Sequence, residues 1–291
     1  MPFPSVRISD NSSGKDRRII AGLLLPYPIM SHTAKPAVVL LHSSLSSRNQ
    51  WSALMSACGD QYRFIAIDLL GYGKSAFPTE AAEAGYTLAH EADAVAAALA
   101  SQLDAGEAFH LVGHSYGGAT ALRLARQLRG RVLSLTLFEP VAFHLLQRDD
   151  DARIEIESFA GAIAAAERED DATRIFIDYW NRPGAFDALP ENQRQRFMSQ
   201  IAKVKLDFVA LLGEPATLAD VAQLDIPALV MAGRKGPSST RRVAEQLAAA
   251  LPDASFLEAA GGHMGPITHA EAVNEAIIGF LSACTADQFA G

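Results

Sequence analysis

The sequence predicts an α/β domain built on a mostly parallel β-sheet that carries helices on both faces. Short apolar segments, such as AVVLL at residues 37–41, alternate along the chain with segments of helical length. Strands buried on both faces are expected to be continuously apolar, and this alternation is typical of a sheet covered on both sides. The chain has 291 residues, of which 49% are hydrophobic and 20% are charged, so it is long enough to bury one large core.

Apolar runs predict the strands, and longer segments, one of them rich in alanine, predict the helices. Strands are predicted at Val6–Ser9, Ile19–Leu25, Ala37–Leu41, Phe64–Ile67, Phe109–Val112, Val132–Phe138, Ala228–Met231 and Ser255–Leu257. Helices are predicted at Leu88–Leu103, Tyr116–Leu128, Ser239–Leu251 and Ala270–Leu281. No internal repeat interrupts this order.

One long segment, residues 141–224, contains no convincing strand. It is charged and helical in character, and it is interrupted at Pro183–Gly184 and at Pro190. A connection of this length is too long for a plain crossover between two strands. We therefore predict a helical cap at 141–224, inserted into a core formed by residues 1–140 and 225–291. Its runs of charged residues are interpreted as helix faces that are exposed to solvent.

A Gly-x-Ser-x-Gly pentapeptide lies at residues 113–117. It follows the predicted strand at Phe109–Val112 and opens the helix predicted from Tyr116, which is the arrangement that a nucleophile elbow requires. Glycines tolerate the sharp, strained turn, and the N-terminus of the helix favours developing negative charge. Ser115 is therefore predicted to be a nucleophile.

A serine hydroxyl needs a base, and His263 is the best candidate. It lies in Ala-Gly-Gly-His-Met-Gly-Pro, after the last predicted strand and before the last helix. Glycines on both sides suit an irregular loop that projects the histidine. The remaining histidines are placed less favourably relative to the carboxyl ends of the strands.

Acyl transfer also needs backbone N–H groups that stabilise an oxyanion. One donor is expected from Tyr116, the residue after the nucleophile. The other is expected from the loop after AVVLL, with Ser44 as the first choice and Ser43 as the second.

The motifs together resemble those of the α/β-hydrolase superfamily over nearly the whole chain. The matching segments are LLHSSLSSRNQW, FIAIDLLGYGKS, LVGHSYGG, IPALVMAGR and GGHMGP. The resemblance implies an α/β-hydrolase fold, an inserted cap and a triad in the chain order Ser, acid, His. One departure is His42-Ser43, where the family usually has His-Gly. Because the oxyanion donor is a main-chain N–H, a serine in place of the glycine is tolerated.

A second departure concerns the triad acid. The family commonly has an aspartate in a Gly-x-x-Asp pattern after the strand at 228–231, whereas this chain has Gly233-Arg-Lys-Gly236. Glu139 is the best substitute because it ends the preceding strand, where some relatives carry their acid. Asp68 and Glu258 are alternatives, as is a Ser–His dyad without an acid.

A serine nucleophile favours hydrolysis of carboxylic esters, with a small to medium, partly apolar substrate. Hydrolysis of carbon–carbon bonds in diketone-like substrates is the alternative within enzymes, and a non-catalytic ligand receptor is the alternative from another class. Dehalogenase and epoxide hydrolase chemistry would need a carboxylate nucleophile. The candidate substrate-binding residues are His42, Phe143, His144, Phe176, Tyr179 and Trp180, although aromatic residues in a cap often serve only to pack it.

Several partners are not expected. The formal net charge is −8, and no cluster of Lys and Arg suits nucleic acid. No apolar run is long enough to span a bilayer, no signal peptide is recognised, and a cytoplasmic location is the expectation. The distant Cys58 and Cys284 are interpreted as buried thiols in a reducing compartment. No metal or organic cofactor is expected, and the oligomeric state is left open.

Overall fold

The structure, a computed structural model, describes residues 35–290 of the chain. Two of the strands predicted from the sequence, Val6–Ser9 and Ile19–Leu25, lie outside the described residues. The other predicted strands and helices are present, and apart from the last helix their ends differ by a few residues at most.

Six strands form one sheet within the described residues, and every neighbouring pair is parallel. They are β1 (Ala37–Leu41), β2 (Arg63–Ile67), β3 (Phe109–His114), β4 (Val132–Phe138), β5 (Ala228–Gly233) and β6 (Ala254–Ala259). Their order across the sheet is β2-β1-β3-β4-β5-β6. Because all strands run in the same direction, the loops that follow β1, β3, β4 and β5 leave the same edge of the sheet.

Helices separate the strands along the chain. They are α1 (Ser52–Cys58), α2 (Thr79–Ala84), α3 (Leu88–Ala100), α4 (Tyr116–Gln127), α5 (Asp151–Ala165), α6 (Glu169–Trp180), α7 (Glu191–Met198), α8 (Ile201–Gly213), α9 (Leu218–Val221), α10 (Ser238–Ala250), α11 (Gly265–Thr268) and α12 (Ala270–Ala290). The last helix extends nine residues beyond its predicted end at Leu281. Residues 282–290 lack Gly and Pro and contain three alanines, so nothing in them stops the helix.

The core lies on both faces of the sheet, as expected for strands that are apolar throughout. All five residues of β1 are buried. Val39 and Leu41 belong to the cluster that includes α3, α4, α8 and α10, whereas Val38 and Leu40 pack with α1 and α12. Alternate side chains of a strand point to opposite faces, so one short strand contributes to both halves of the core.

Residues 139–227 lie between β4 and β5 and contain α5 to α9 but no strand. The inward faces of α5, α6 and α8 form an aromatic cluster. Phe159 is central to it, with its ring centroid 5.5 Å from that of Phe208 and 5.9 Å from that of Trp180. This packing places the end of α6 close to the carboxyl edge of the sheet.

Burial keeps four histidines of the described chain neutral. Desolvation lowers the pKa of His42, His110 and His144 from 6.5 to about 4. Burial, together with the nearby ring of His263, also lowers the pKa of His114 well below 6.5. A protonated imidazole would lose its hydration in these positions, so the neutral form is favoured.

We therefore expect the free energy of unfolding to decrease as the pH falls from about 6.5 to about 4. In this window the unfolded chain binds protons on these histidines while the folded chain does not. Each histidine then contributes up to about 1.4 kcal/mol of destabilisation per pH unit. Urea denaturation at a series of pH values measures the slope. His110→Gln should reduce it, whereas His269→Gln, at an exposed position, should not. A stability that is constant across the window would contradict the expectation.

Candidate active site

Ser115 lies in a sharp turn between β3 and α4. Its backbone has φ 55° and ψ −118°, a left-handed conformation that is unfavourable for a residue with a side chain. The turn is held by the backbone N–H of Ser115, which donates to the carbonyl oxygen of Phe138 at 3.0 Å. The carbonyl oxygen of Ser115 accepts from the N–H groups of Gly118 and Ala119, at 2.9 Å and 3.1 Å. Hydrogen bonds to β4 and to α4 thus fix the strained residue.

The glycines that flank Ser115 are required by close packing of the backbone. A Cβ atom at Gly113 would come within 2.4 Å of the carbonyl oxygen of Gly117. A Cβ atom at Gly117 would come equally close, 2.4 Å, to the carbonyl oxygen of His42. The motif therefore allows α4 to start directly against β3 and against the loop after β1.

His263 connects the serine to a carboxylate. Its Nε2 atom is 2.9 Å from the Oγ of Ser115, and its Nδ1 atom is 2.7 Å from the Oε2 of Glu139. An ionised carboxylate can only accept hydrogen bonds, so the proton is assigned to Nδ1, and Nε2 accepts from the serine hydroxyl. All three side chains are buried, with exposed fractions of 5% or less.

Glu139 is held at the end of β4 by several hydrogen bonds. Its Oε1 accepts from the N–H of Gly233 at 2.8 Å, and its Oε2 accepts from the Oγ1 of Thr240 at 2.9 Å. Its backbone φ is 40°, a second left-handed conformation at a residue with a side chain. The carboxylate is fully buried, and these donors together with His263 compensate for its lost hydration.

The position of Glu139 explains the glycine at residue 236. A Cβ atom at Gly236 would lie 1.9 Å from the Oε1 of Glu139. The carboxylate therefore occupies the space that a side chain at 236 would enter. A carboxylate from the end of β4 therefore lies against the turn after β5, where the family commonly has its aspartate.

The alternative acids lie elsewhere. Asp68 accepts from the backbone N–H groups of Arg48 and Lys74, at 2.7 Å and 3.0 Å. Glu258 pairs with Arg241 at 2.6 Å, and its side chain is 52% exposed. Both have partners other than His263, so the geometry favours Glu139 as its carboxylate.

The loop after β1 provides the candidate oxyanion donors. The backbone N–H of Ser43 is already used, because it donates to the Oε1 of Gln50 at 3.1 Å. Among the described residues, no acceptor is found for the N–H of Ser44 or for that of Tyr116. Leu45, the next residue of the loop, has φ 57°. The arrangement favours the pair Ser44 and Tyr116 over Ser43.

Two aromatic residues hold His263 in place in addition to Glu139. The Nε2 of His114 is 2.8 Å from the carbonyl oxygen of His263 and donates to it. The ring of Trp180 stacks on the imidazole, with a centroid distance of 4.0 Å and an interplanar angle of 28°. His114 is the variable residue before the serine in the elbow motif, and its role could not be inferred from the motif alone.

A cavity of about 490 Å³ opens beside Ser115 and His263. Of the residues predicted to bind substrate, Phe176 and Trp180 line it, as do Ser43 and Ser44 from the oxyanion loop. Phe143 lines a much smaller adjoining pocket that also contains Ser44 and Ser115.

Three predicted substrate-binding residues do not line either pocket. His42 is buried, with its Nδ1 donating to the carbonyl oxygen of Ser43 at 2.7 Å and its Nε2 accepting from the N–H of Leu69 at 3.0 Å. Tyr179 bonds Glu155 and Ser239 through its hydroxyl, at 2.7 Å and 2.8 Å. For His42 and Tyr179, bonding to the protein itself replaces the expected contact with substrate.

His144 is the third of these residues. It lies in a 3₁₀ turn at Phe143–Leu145, and burial lowers its pKa to about 4. Its imidazole hydrogen-bonds the backbone of Leu211 on α8. The sequence could not distinguish the two sides of so short a turn.

Other residues that line the cavity were not identified from the sequence. Polar ones are Asn181, Gln193, Arg196 and Gln200, and apolar ones include Ile177, Leu189, Phe197, Met264 and Ile267. Most come from α6, α7 and the segment between them, where charge and helical periodicity alone do not indicate which face turns towards the sheet.

Two further findings concern other kinds of site. In residues 35–290 no group of three or more His, Cys, Asp and Glu side chains is arranged to hold a metal ion. No helix in the part of the chain that the structure describes combines the length and apolar character needed to cross a membrane.

Comparison with known proteins identifies the family. A model described as alpha/beta hydrolase fold matches residues 36–270. The chain therefore belongs to the α/β-hydrolase family, which confirms the family and the fold class predicted from the sequence.

Individual relatives carry the names of several kinds of enzyme. A probable lysophospholipase, BODYGUARD 1 of Arabidopsis thaliana, is 38% identical over 112 residues, which is 37% of this chain and 23% of that protein. The chain thus matches about a quarter of the length of this plant relative. The acetyltransferase component of the acetoin cleaving system of Pseudomonas putida is 28% identical over 90% of this chain and 68% of that protein. A thermophilic esterase from Thermogutta terrifontis has a TM-score of 0.66 and 25% identity, covering 86% of this chain and 91% of its own.

Proposed function

We propose that the protein is a serine hydrolase that cleaves carboxylic esters by acyl transfer at Ser115. The observation that carries the proposal is the continuous chain of hydrogen bonds from Ser115 through His263 to Glu139. The nucleophile and the orienting acid each lie within hydrogen-bond distance of the base, as acyl transfer requires. The esterase and the probable lysophospholipase among the similar proteins support the ester class.

The reaction proceeds in two halves. In the first, His263 Nε2 removes the hydroxyl proton of Ser115 while the serine Oγ attacks the ester carbonyl carbon. The resulting oxyanion accepts hydrogen bonds from the backbone N–H groups of Tyr116 and Ser44. Collapse of the intermediate breaks the bond to the alcohol oxygen, which receives the proton from His263, and leaves an acyl group on Ser115.

In the second half, water attacks the acyl-enzyme. His263 removes a proton from the water, and the new intermediate collapses to release the carboxylic acid and return the proton to Ser115. Throughout both halves the carboxylate of Glu139 keeps the Nδ1 proton of His263 in place and stabilises the imidazolium.

Residues 141–224 act in this proposal as a cap that forms the substrate-binding walls. Phe176 and Trp180 from α6 and Phe197 from α7 give the cavity apolar surface. Polar side chains, among them that of Arg196, line the same cavity and would contact a polar part of the substrate. A cavity of about 490 Å³ is of ordinary size for a small-molecule site. The substrate class is therefore a small to medium ester with apolar and polar parts.

The proposal is tested with a short-chain p-nitrophenyl ester and a fluorophosphonate. We expect the purified protein to hydrolyse the ester and to lose this activity as the fluorophosphonate adds one phosphonyl group. Mass spectrometry of the digested protein should locate the adduct on Ser115. Heat-denatured protein is the control and should not react. Ester hydrolysis that survives complete labelling, or an adduct on another residue, would contradict the proposal.

A further inference from the structure

A buried charged cluster lies directly behind the candidate active site. Lys203 on α8 is fully buried, and its Nζ is 3.1 Å from the Oε2 of Glu91 and also bonds the Oδ1 of Asp207. The ring centroids of Tyr72, Tyr86 and Tyr116 surround the same ammonium group at 5.0 Å, 4.9 Å and 4.6 Å. Such a cluster is costly to desolvate, and apolar residues of similar volume would often be equally stabilising.

The second oxygen of Asp207 connects this cluster to the oxyanion loop. Its Oδ2 accepts from the hydroxyl of Tyr72 at 2.5 Å and from the Oγ of Ser44 at 2.6 Å. Ser44 follows β1, whereas Asp207 lies 163 residues further along the chain on α8. This hydrogen bond therefore joins the segment between β4 and β5 to the loop that carries a candidate oxyanion donor.

The bond is suited to fix the loop. Hydrogen bonds to a charged acceptor are shorter and about twice as strong as neutral ones. The Oδ1 of Asp207 is held by Lys203, so the position of the carboxylate is determined independently of its bond to Ser44. Ser44, Ser115 and Asp207 line the same small pocket, which places the bond next to the nucleophile.

We infer that Asp207 is a positioning residue, which orients the peptide of Ser44 so that its N–H faces the oxyanion. The inference rests on the proposed function. It gives Ser44 two roles: its backbone N–H stabilises the oxyanion, and its hydroxyl anchors the peptide to α8. The charged cluster then sets the geometry of the oxyanion hole in addition to packing α8 on the sheet.

The test compares two variants, each of which lacks one of the two hydroxyl groups that donate to the Oδ2 of Asp207. Ser44→Ala removes the anchor but keeps the backbone N–H, and we expect kcat for the p-nitrophenyl ester to fall about tenfold, with KM within about twofold. Tyr72→Phe removes the other donor to Oδ2, and kcat should stay within about twofold. Ser44→Thr retains a hydroxyl and should recover most of the lost kcat. Thermal denaturation of each variant shows whether the fold is retained.

A second measurement keeps the inference testable if one variant is unstable. In a double-mutant cycle, Asp207→Asn and Ser44→Ala should lower kcat by less together than the product of their separate effects. Equal losses of kcat in Ser44→Ala and Tyr72→Phe, or none in Ser44→Ala, would overturn the positioning role while leaving an active wild type. A wild type that neither hydrolyses the ester nor reacts with the fluorophosphonate would overturn the proposed function and this inference with it.

Discussion

Ser115→Ala is expected to lower kcat for ester hydrolysis by about 10⁶-fold, the loss typical of removing a triad serine. The hydroxyl is the only group of this residue that bonds His263, and without it no acyl-enzyme forms. Activity above the uncatalysed rate should remain, because the proposed oxyanion donors, the N–H groups of Tyr116 and Ser44, are unchanged. Initial rates with a p-nitrophenyl ester over a range of substrate concentrations give kcat and KM separately.

The fold should tolerate this substitution. Alanine is smaller than serine and no more strained at φ 55°, and the side chain of Ser115 makes no helix-capping hydrogen bond. The matched control is Ser56→Ala, at an exposed position on α1, which should retain full activity. A Ser115→Ala variant with more than about 1% of the wild-type kcat would identify a different nucleophile.

Several parts of the site could be predicted because local chemistry determined them. Ala37–Leu41 is apolar at every position, which few elements other than a buried strand accommodate. The elbow could be placed because only glycine satisfies the close contacts at residues 113 and 117. Glu139 emerged as a candidate because it is a carboxylate at the end of a strand in a chain that lacks the expected later aspartate.

Other parts depended on long-range packing and had no local signal. Lys203 and Asp207 are four residues apart on a helix, a spacing that usually indicates an exposed ion pair. Their burial depends on Glu91 and three tyrosines from other parts of the chain. His42 was expected to contact substrate, but its ring bonds Ser43 in its own loop and Leu69 in the segment after β2. The direction of a side chain at a strand end is set by such tertiary partners.

Glu139→Gln is expected to lower kcat by about 10⁴-fold, because it changes the tautomer of His263. The N–H of Gly233 donates to Oε1, so the glutamine should place its carbonyl oxygen there and its NH₂ group towards His263. Nδ1 would then have to accept, and the imidazole proton would move to Nε2, where it faces the hydroxyl of Ser115. The serine loses its base although every side chain keeps its position. Kinetics with the p-nitrophenyl ester, combined with thermal denaturation, separate this effect from unfolding.

Thr240→Val is the matched control for Glu139→Gln. It removes a hydrogen bond to the Oε2 of Glu139 without changing the proton on His263, and we expect a loss in kcat below about tenfold. A loss of less than about tenfold in Glu139→Gln itself would show that another group orients the histidine.

A relocated acid provides an independent test of the same geometry. A side chain at 236 cannot coexist with Glu139, because its Cβ would lie 1.9 Å from the glutamate oxygen. Glu139→Gly removes the carboxylate and relieves the left-handed backbone at this residue. Adding Gly236→Asp then introduces a carboxylate into the vacated space, and kcat should rise at least about tenfold above that of Glu139→Gly alone. Gly236→Asp in the otherwise unchanged chain should instead lower kcat, since two carboxylates would compete for one site. If the double variant recovered nothing, the acid would need more than proximity to His263, and the donors Gly233 and Thr240 would have to be counted as part of the catalytic arrangement.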